Sequence, residues 1–319
     1  MASAKTAVEQ VAQVGIEATA GVAAAATWRP RTETITIQPQ VETAEVRPSG
    51  SYYVASTYLN AESSSGSASG AVNLTSQLRF LALALGAPAT AETVLDSGVF
   101  AHTFVMQSDR PTWTVEYGDA QHASRASFVY ATSYELEFGR NSGTSTFSMS
   151  LGGGQFSDGV ALTTAGVTEL ADEIVPALRV SVFADTSLAT LGTTKLDNAL
   201  AVKFSLTDLR AGKQYLDADK PSISKVVNTA PTAAVELTVE ADAPGRDWVR
   251  KLREGEVTYL RLHAAGDGGH ELTIDAPVMV SAVQERGDEE NVYVAKYTLR
   301  VVKTADFELT ATLVNGLSA

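Results

Sequence analysis

A histidine, a serine and an aspartate fall within one short stretch, "FAHTFVMQSDRPTWTVEYG" (100–118), as His102, Ser108 and Asp109. These are the residue types of nucleophilic catalysis, where a base takes a hydroxyl proton and a carboxylate orients the base. Their setting points elsewhere. Phe100, His102, Phe104 and Met106 alternate onto one face of a strand, with Ala101, Thr103 and Val105 on the other. His102 therefore reads as a hydrogen-bonded histidine of a core or interface. Phe100, Phe104 and Trp113 are candidates for the same environment. Trp113, Val115 and Tyr117 define the buried face of the next strand. Ser108 and Asp109 occupy the bend between, where both types are favoured for local hydrogen bonding.

Other chemistries fare no better. A nucleophile elbow needs G-x-S-x-G, and "GSASG" (66–70) has Ala68 at the serine position. "AGKQ" (211–214) lacks the rest of a phosphate loop, and no H-E-x-x-H is present. The four histidines, His102, His122, His263 and His270, are scattered; only His263 and His270 flank one turn, "GDGG". Asp217 and Asp219 in "LDADK" lack the other ligands of a calcium loop. "RGD" (286–288) sits in an acidic hairpin tip and reads as a charged turn. No catalytic, cofactor or metal site is expected, and the chain is not expected to be an enzyme.

The chain has no cysteine, so disulfide frameworks and thiolate metal sites are excluded. Its net charge is −13, with 8 basic against 13 acidic residues through Gln155 and the remainder following the same trend. Tight nucleic-acid binding requires the opposite field. At the N-terminus, Lys5 is a thin charged region and Glu9 and Glu17 interrupt any apolar run. Neither a secretion signal nor a membrane anchor is expected.

The elements that would position these residues are mostly strands. Period-two alternation marks 32–38, 51–57, 127–138, 145–151, 178–184, 199–206, 233–241, 270–283 and 291–302. Two helices are predicted. Leu74, Leu78, Leu81 and Leu85 share a helical face that ends at Gly86 and Pro88. The second, 245–255, carries Trp248, Val249 and Leu252 on one side and a solvated basic face of Arg246, Arg250, Lys251 and Arg253 on the other. The segment Glu62, Ser63, Ser64, Ser65, Gly66, Ser67, Ala68, Ser69, Gly70 reads as a mobile loop. An internal repeat is suggested by Tyr134, Leu136 and Phe138 followed by Phe147, Met149 and Leu151. These are matched downstream by Tyr297, Leu299 and Val301 followed by Leu309, Ala311 and Leu313. "LGGGQFSDG" (151–159) is the natural boundary. The expected organisation is an N-terminal arm (1–30), a first β domain (31–155) and a second β domain (156–319). The fold class is mainly β: tandem sandwich or barrel domains, each with a short flanking helix.

The order of "VGIEATAGVAA", the Ser/Gly segment, "LALALGAP", "FAHTF", "TWTVEYG" and the Tyr-x-Leu-x-Phe strand forms a recognisable series. It continues with "VFADTSLATLGTTKLDNALAVKFSLTD", the "DKPS" turn and "VTYLRLHAAG". This series resembles the major tail tube proteins of long-tailed, siphovirus-type bacteriophages over nearly the whole chain. The resemblance implies rings that stack into a hollow tube, assembled in the host cytoplasm and retained in the virion tail. A tape-measure protein would fill the lumen during assembly, tail tip and terminator proteins would bound it, and DNA would pass without tight binding. Three two-domain chains, with pseudo-sixfold symmetry, would supply six units; six chains are needed if only one half is a tube domain. Glu135 and Glu137 are the candidates for an acidic channel wall, and the 62–70 loop for stacking against the next ring. The inner tube of a contractile injection machine and a β-sandwich surface adhesin or binding module are the alternatives.

Overall fold

The computed structural model describes residues 10–89, 93–96, 98–119, 122–140, 143, 145–217, 222–289 and 292–318. Lys5, Glu9 and Asp219, named above, lie outside them, as do Lys220 and Pro221 of "DKPS" and the side chain of Arg286 in "RGD". The first half contains β1 (Val11–Ile16), β2 (Trp28–Arg29), β3 (Thr34–Val46), β4 (Ser56–Ala71) and helix α1 (Leu74–Leu85). It continues with β5 (Thr93–Asp96), β6 (Val99–Val105), β7 (Trp113–Gly118), β8 (Ala123–Gly139), β9 (Thr146–Gly153) and β10 (Phe156–Val160). After β11 (Thr168–Glu169) come β12 (Val180–Asp185), β13 (Ala199–Thr207), β14 (Arg210–Lys213), β15 (Lys225–Asn228) and β16 (Thr232–Glu240). Helix α2 (Ala243–Glu254), β17 (Thr258–Ala265), β18 (Glu271–Glu289), β19 (Val292–Val301) and β20 (Thr310–Asn315) complete the chain. The protein is mainly β with two helices, as its periodicity predicts.

Eight antiparallel strands form one continuous sheet in the order β3-β4-β9-β8-β13-β16-β19-β18. One face is apolar and buried: Ile35 and Ile37, Phe147 and Met149, Tyr134 and Leu136, Phe204 and Leu206, Val235 and Leu237, Tyr297 and Leu299. This is the alternation expected of a sheet with one solvated side. Strand β8 serves two sheets. Its first part pairs with β7 and β10, its later part with β9 and β13. The change of direction is made at a bulge: Trp113 pairs with Val129 but Val115 with Ala126, and Phe128 between them has φ 59°. A left-handed aromatic residue is unfavourable by itself. Here Glu17 compensates, accepting the Phe128 N–H (2.8 Å), the Gly21 N–H (2.7 Å) and the hydroxyls of Thr112 (2.7 Å) and Thr114 (2.9 Å).

The connectivity of the first half recurs in the second. β7 pairs with β1 and the start of β8; β17 pairs with β12 and the start of β18. β10 returns to the start of β8, and β20 to the start of β18. α1 follows β4, and α2 follows β16. The correspondence extends to a bulge. Ala131 pairs with Leu151 and Ser133 with Ser150; Val280 pairs with Leu299 and Ala282 with Thr298. Strands β8 and β9 therefore match β18 and β19, and β3 and β4 match β13 and β16. The pairing corrects the sequence alignment of the repeat, in which Tyr134 stood against Tyr297. Val283 is the partner of Tyr297 and occupies the place of Tyr134, while β19 and β20 do not pair with each other. Identical side-chain alternation in every strand made the wrong pair of strands look equivalent.

Both helices follow their sequence signals. Asn73 caps α1 by accepting the Thr75 N–H (3.1 Å), and Gly86 ends it. The helix is buried on nearly all sides, with Leu78, Phe80, Leu81 and Leu83 within the core. Phe80 joins Trp28, Trp113, Phe147 and, through Phe147, Tyr134 in one aromatic cluster. Asp242 caps α2 by accepting the Gly245 N–H (2.8 Å), and Gly255 ends it in the left-handed conformation, φ 64°. Trp248 packs beside Tyr297, whose hydroxyl donates to the Gly245 carbonyl (2.8 Å).

Candidate assembly surface

The residues that suggested catalysis do not converge. His102 is fully buried in β6 opposite Leu313 of β20, and its Nε2 donates to the Leu317 carbonyl at 2.8 Å. Phe104 and Trp113 are buried and Phe100 is half-buried, so this stretch is a wall of the core. Ser108 contributes its backbone, with its carbonyl accepting from Asn228 Nδ2 (2.6 Å). His263 donates to Glu271 (2.8 Å), whereas His270 pairs with Glu173. Among the described residues no group of three or more His, Asp or Glu side chains gathers into a metal-binding arrangement.

Sequence reasoning missed two buried polar arrangements. Glu116 points from β7 into the interior. Burial pushes its pKa up, but the Thr163 N–H, Gln13 and Arg125 outweigh that and hold it below the usual carboxylate value. Arg110 and Arg210 form a brace between elements distant in sequence. Arg110 donates to the carbonyls of Ala84 (2.9 Å) and Leu209 (3.0 Å) and to Asn228 Oδ1 (2.8 Å). Arg210 donates to the Pro111 carbonyl (2.9 Å) and lies over the Tyr130 ring. Burial, and then the neighbouring Arg110 charge, push the Arg210 pKa down to about 10. Only "DRP" hinted at this, because an arginine beside a turn is ordinarily solvated.

The outer face of the eight-stranded sheet is a regular polar surface. Its rows carry Thr34, Thr36 and Gln38 on β3; Ser65, Ser67 and Ser69 on β4; Ser148 and Ser150 on β9. Ser133, Glu135 and Glu137 follow on β8, then Lys203 and Ser205 on β13, Glu236 on β16, and Thr298, Lys296 and Arg300 on β19. Glu135 and Glu137 therefore do share the outer face. They do not make it acidic. Lys203 meets Glu135 at 3.1 Å, and the hydrogen bond to Glu135 with the nearby carboxylates raises the lysine pKa. Across the central rows Glu135, Glu137 and Glu236 are balanced by Lys203, Lys296 and Arg300. The surface is hydroxyl-rich and close to neutral.

The Ser/Gly segment is not a loop. Glu62, Ser63, Ser64, Ser65, Gly66, Ser67, Ala68, Ser69 and Gly70 lie in β4; the first eight face partners on β3 from Val41 back to Thr34, and the last seven are also paired with β9. The cue was present: Ser65, Ser67 and Ser69 alternate with Gly66, Ala68 and Gly70, polar outward and small inward. An apolar face made only of glycine and alanine carries little hydrophobic signal. It serves here because the neighbouring backbone leaves no room for anything larger. The segment that does project is the β3–β4 arm, 39–60. There, among the described residues, β3 pairs with β4 alone; of the strand expected at 51–57, Ser56 and Thr57 belong to β4, while 51–55 follow the turn at 49–50 without strand structure. The arm exposes Val41, Val46, Tyr52, Tyr53, Tyr58 and Leu59, with Tyr52 91% exposed.

Both ends of the eight-stranded sheet are open. β3 pairs with β4 on one side and, among the described residues, with nothing on the other. β18 pairs with β17 only as far as Val278, and among the described residues its continuation pairs with β19 alone. A groove of about 880 Å³ runs between α2 and β19, lined by Arg246, Val249, Arg253 and Tyr293 among others. Arg246, Arg250 and Arg253 are exposed, and Arg250 on the rim is engaged by Asp247, Glu254 and Glu256; Lys251, expected on the same solvated face, is instead buried with its ammonium over the Trp248 ring. No helix among the described residues is long and apolar enough to cross a membrane. Compared with protein-family models and with curated proteins, the chain matches none.

Proposed function

We propose that the chain is the structural subunit of a hollow tube, a phage tail tube protein that closes into rings which then stack. The observation that carries this reading is the pair of open edges on a sheet whose two halves repeat. A long exposed strand edge recruits another strand unless something covers it. Here the two edges belong to different surfaces, so the contact they favour is head-to-tail. Such contacts generate rings when the rotation closes.

Strand number supports three chains per ring. Three copies supply 24 strands; at about 4.8 Å per strand and a tilt of roughly 40°, that barrel is about 48 Å across its backbone. Side chains reduce the clear bore to roughly 35–40 Å, which admits a duplex about 20 Å wide with its hydration. Two copies leave almost no clearance, and six give a far wider bore than DNA needs. The hydroxyl-rich, charge-balanced sheet face would line the bore. It offers DNA no basic track to bind, and it replaces the acidic wall as the reason for free passage. A tape-measure protein would occupy the same space during assembly, and tip and terminator proteins would meet the end rings.

The exposed apolar arm is the element suited to stacking: an isolated two-stranded hairpin is marginal in water and gains from being covered. This assigns stacking to 39–60 in place of 62–70, whose removal would take out a central strand. The test is electron microscopy with mass measurement of the purified chain at high concentration. Closed three-membered rings or hollow striated tubes are expected; a monomer that persists across salt and temperature refutes the proposal.

A further inference from the structure

The repeat does more than supply two open edges; it supplies a worked example of how they join. Within one chain, β13 of the second half pairs with the later part of β8 of the first. That junction uses the side of β8 opposite β9, just beyond β7. The same side of β18, opposite β19 and just beyond β17, is the open edge. The open side of β3 is likewise the side that its counterpart β13 presents to β8. One junction is made internally, and its two equivalents are left free at the ends of the same molecule.

We infer that β3 of one copy pairs antiparallel with β18 of the next in the register of the β8–β13 junction, setting Gln38 directly opposite Gln284. This rests on the ring reading above. The register follows from the matched bulges. Tyr134 pairs with Met149 as the second pair after the first bulge, and Val283 with Tyr297 as the second pair after its counterpart. Tyr134 thus corresponds to Val283, and Glu135 to Gln284. Across the sheet, Met149 leads through Ala68 to Ile35, and Tyr297 through Leu237 to Val202. Ile35 thus corresponds to Val202, and Gln38 to Ser205. Inside the chain Ser205 stands opposite Glu135 and Leu206 opposite Tyr134. The intermolecular equivalents are Gln38 opposite Gln284 and Pro39 opposite Val283.

The residues fit those places. Gln38 and Gln284 are exposed in the isolated chain, and two amides can hydrogen-bond to each other without a charge penalty. Val283 is half-buried against the core, so an apolar partner extends that core across the joint. Pro39 has no N–H to give and ends the ladder where the internal junction also ends. Asp208 makes the corresponding break with φ 55° just after β13. Beyond Pro39 the arm is free to leave the barrel.

The absence of cysteine makes the test direct. Residues opposite one another on antiparallel strands have Cβ atoms about 4.5–5.5 Å apart, close enough for a disulfide after small adjustment. Gln38→Cys/Gln284→Cys is compared with Thr34→Cys/Gln284→Cys, displaced four residues along β3 on the same face, roughly 14 Å away. Ser205→Cys/Glu135→Cys, the internal equivalent, is the positive control and closes within one chain. Each variant is sized by native mass measurement and then oxidised under matched conditions. The expected result is a covalent ladder ending at three chains, about ten-fold more intense for the first pair than for the displaced one. Mixing Gln38→Cys chains with Gln284→Cys chains should give crosslinked dimers and nothing larger. Rings that form but crosslink through Thr34, or through neither pair, overturn the register while leaving ring formation intact. Gln38→Cys chains that crosslink to themselves show a two-fold contact and overturn the head-to-tail junction. A chain that stays monomeric by mass overturns both the junction and the ring.

Discussion

Gly66→Ala separates the two accounts of the Ser/Gly segment by sign. In a flexible loop, replacing glycine with alanine restricts the unfolded chain and stabilises by about 0.4–1 kcal/mol. In β4 the added methyl would stand 2.0 Å from the Thr36 carbonyl oxygen and 3.0 Å from the Ile37 Cα. Both obstacles are backbone, so no rotamer change relieves them. Restoring an ordinary separation moves β3 by more than an ångström against a strand also held by β9. Overpacking of this kind costs about 1–3 kcal/mol. Loosened packing of Ile35 and Ile37, both buried, brings the expected total to roughly 2–4 kcal/mol. In a chain of this size that lowers the melting temperature by about 3–6 °C. Urea titration and a thermal scan of the isolated chain measure it. Gly50→Ala is the companion: its methyl meets nothing within 4 Å, and its φ of 79° leaves only the left-handed penalty of about 1 kcal/mol. An unchanged or more stable Gly66→Ala protein would falsify the placement of this segment as a packed central strand.

Four further outcomes are expected. Trp113→Ala empties the centre of the aromatic cluster and should cost about 3–5 kcal/mol in urea titration, with near-ultraviolet circular dichroism reporting the loss of ring packing. Arg110→Ala strands the Ala84 carbonyl and leaves that of Leu209 with only the long Thr229 N–H bond (3.4 Å), and should cost about 2–4 kcal/mol; Arg110→Lys should recover less than half by the same titration, because one ammonium cannot span three acceptors. Burial raises the Glu33 pKa above its unfolded value despite hydrogen bonds from Ser76 and Thr32, so the folded state binds the proton more tightly and loses stability as pH rises through that window. Glu33→Gln should therefore be more stable than the parent at pH 7 and show a flatter dependence between pH 4 and 7 in thermal scans. Replacing 40–60 with a two-residue turn should leave the melting temperature within about 3 °C, since the arm adds little to the core, while abolishing stacked tubes in electron micrographs.

Most strands and both helices were legible because they rest on local rules. Alternation assigns a residue to a face, and the spacing of Leu74, Leu78, Leu81 and Leu85 with Gly86 beyond them marks α1 and its end; the capping residues Asn73 and Asp242 were not read from the sequence. Burial of His102, Phe104 and Trp113 followed from the same alternation. The candidate surface was legible only in fragments. Glu135 and Glu137 were placed on the outer face, but Lys203, Lys296 and Arg300, which cancel their charge, come from strands 66 to 165 positions away along the chain. Tyr52 and Tyr53 have strand chemistry, so 51–57 reads as a strand, whereas in the structure 51–55 pair with no strand among the described residues and β4 begins at Ser56.

By itself the sequence determined most of the extended segments with an apolar face, both helices and the end of α1, and which face of those strands seeks the core. It also excluded cysteine chemistry outright. Tertiary structure alone decided which strands are neighbours. Strand pairing is made by backbone groups that every residue carries, so periodicity cannot choose among partners. That choice set β8 against β13, matched β8 with β18 instead of β19, and turned a run of serine and glycine into a central strand. It also left β3 and the end of β18 open, and these two edges carry the proposed ring.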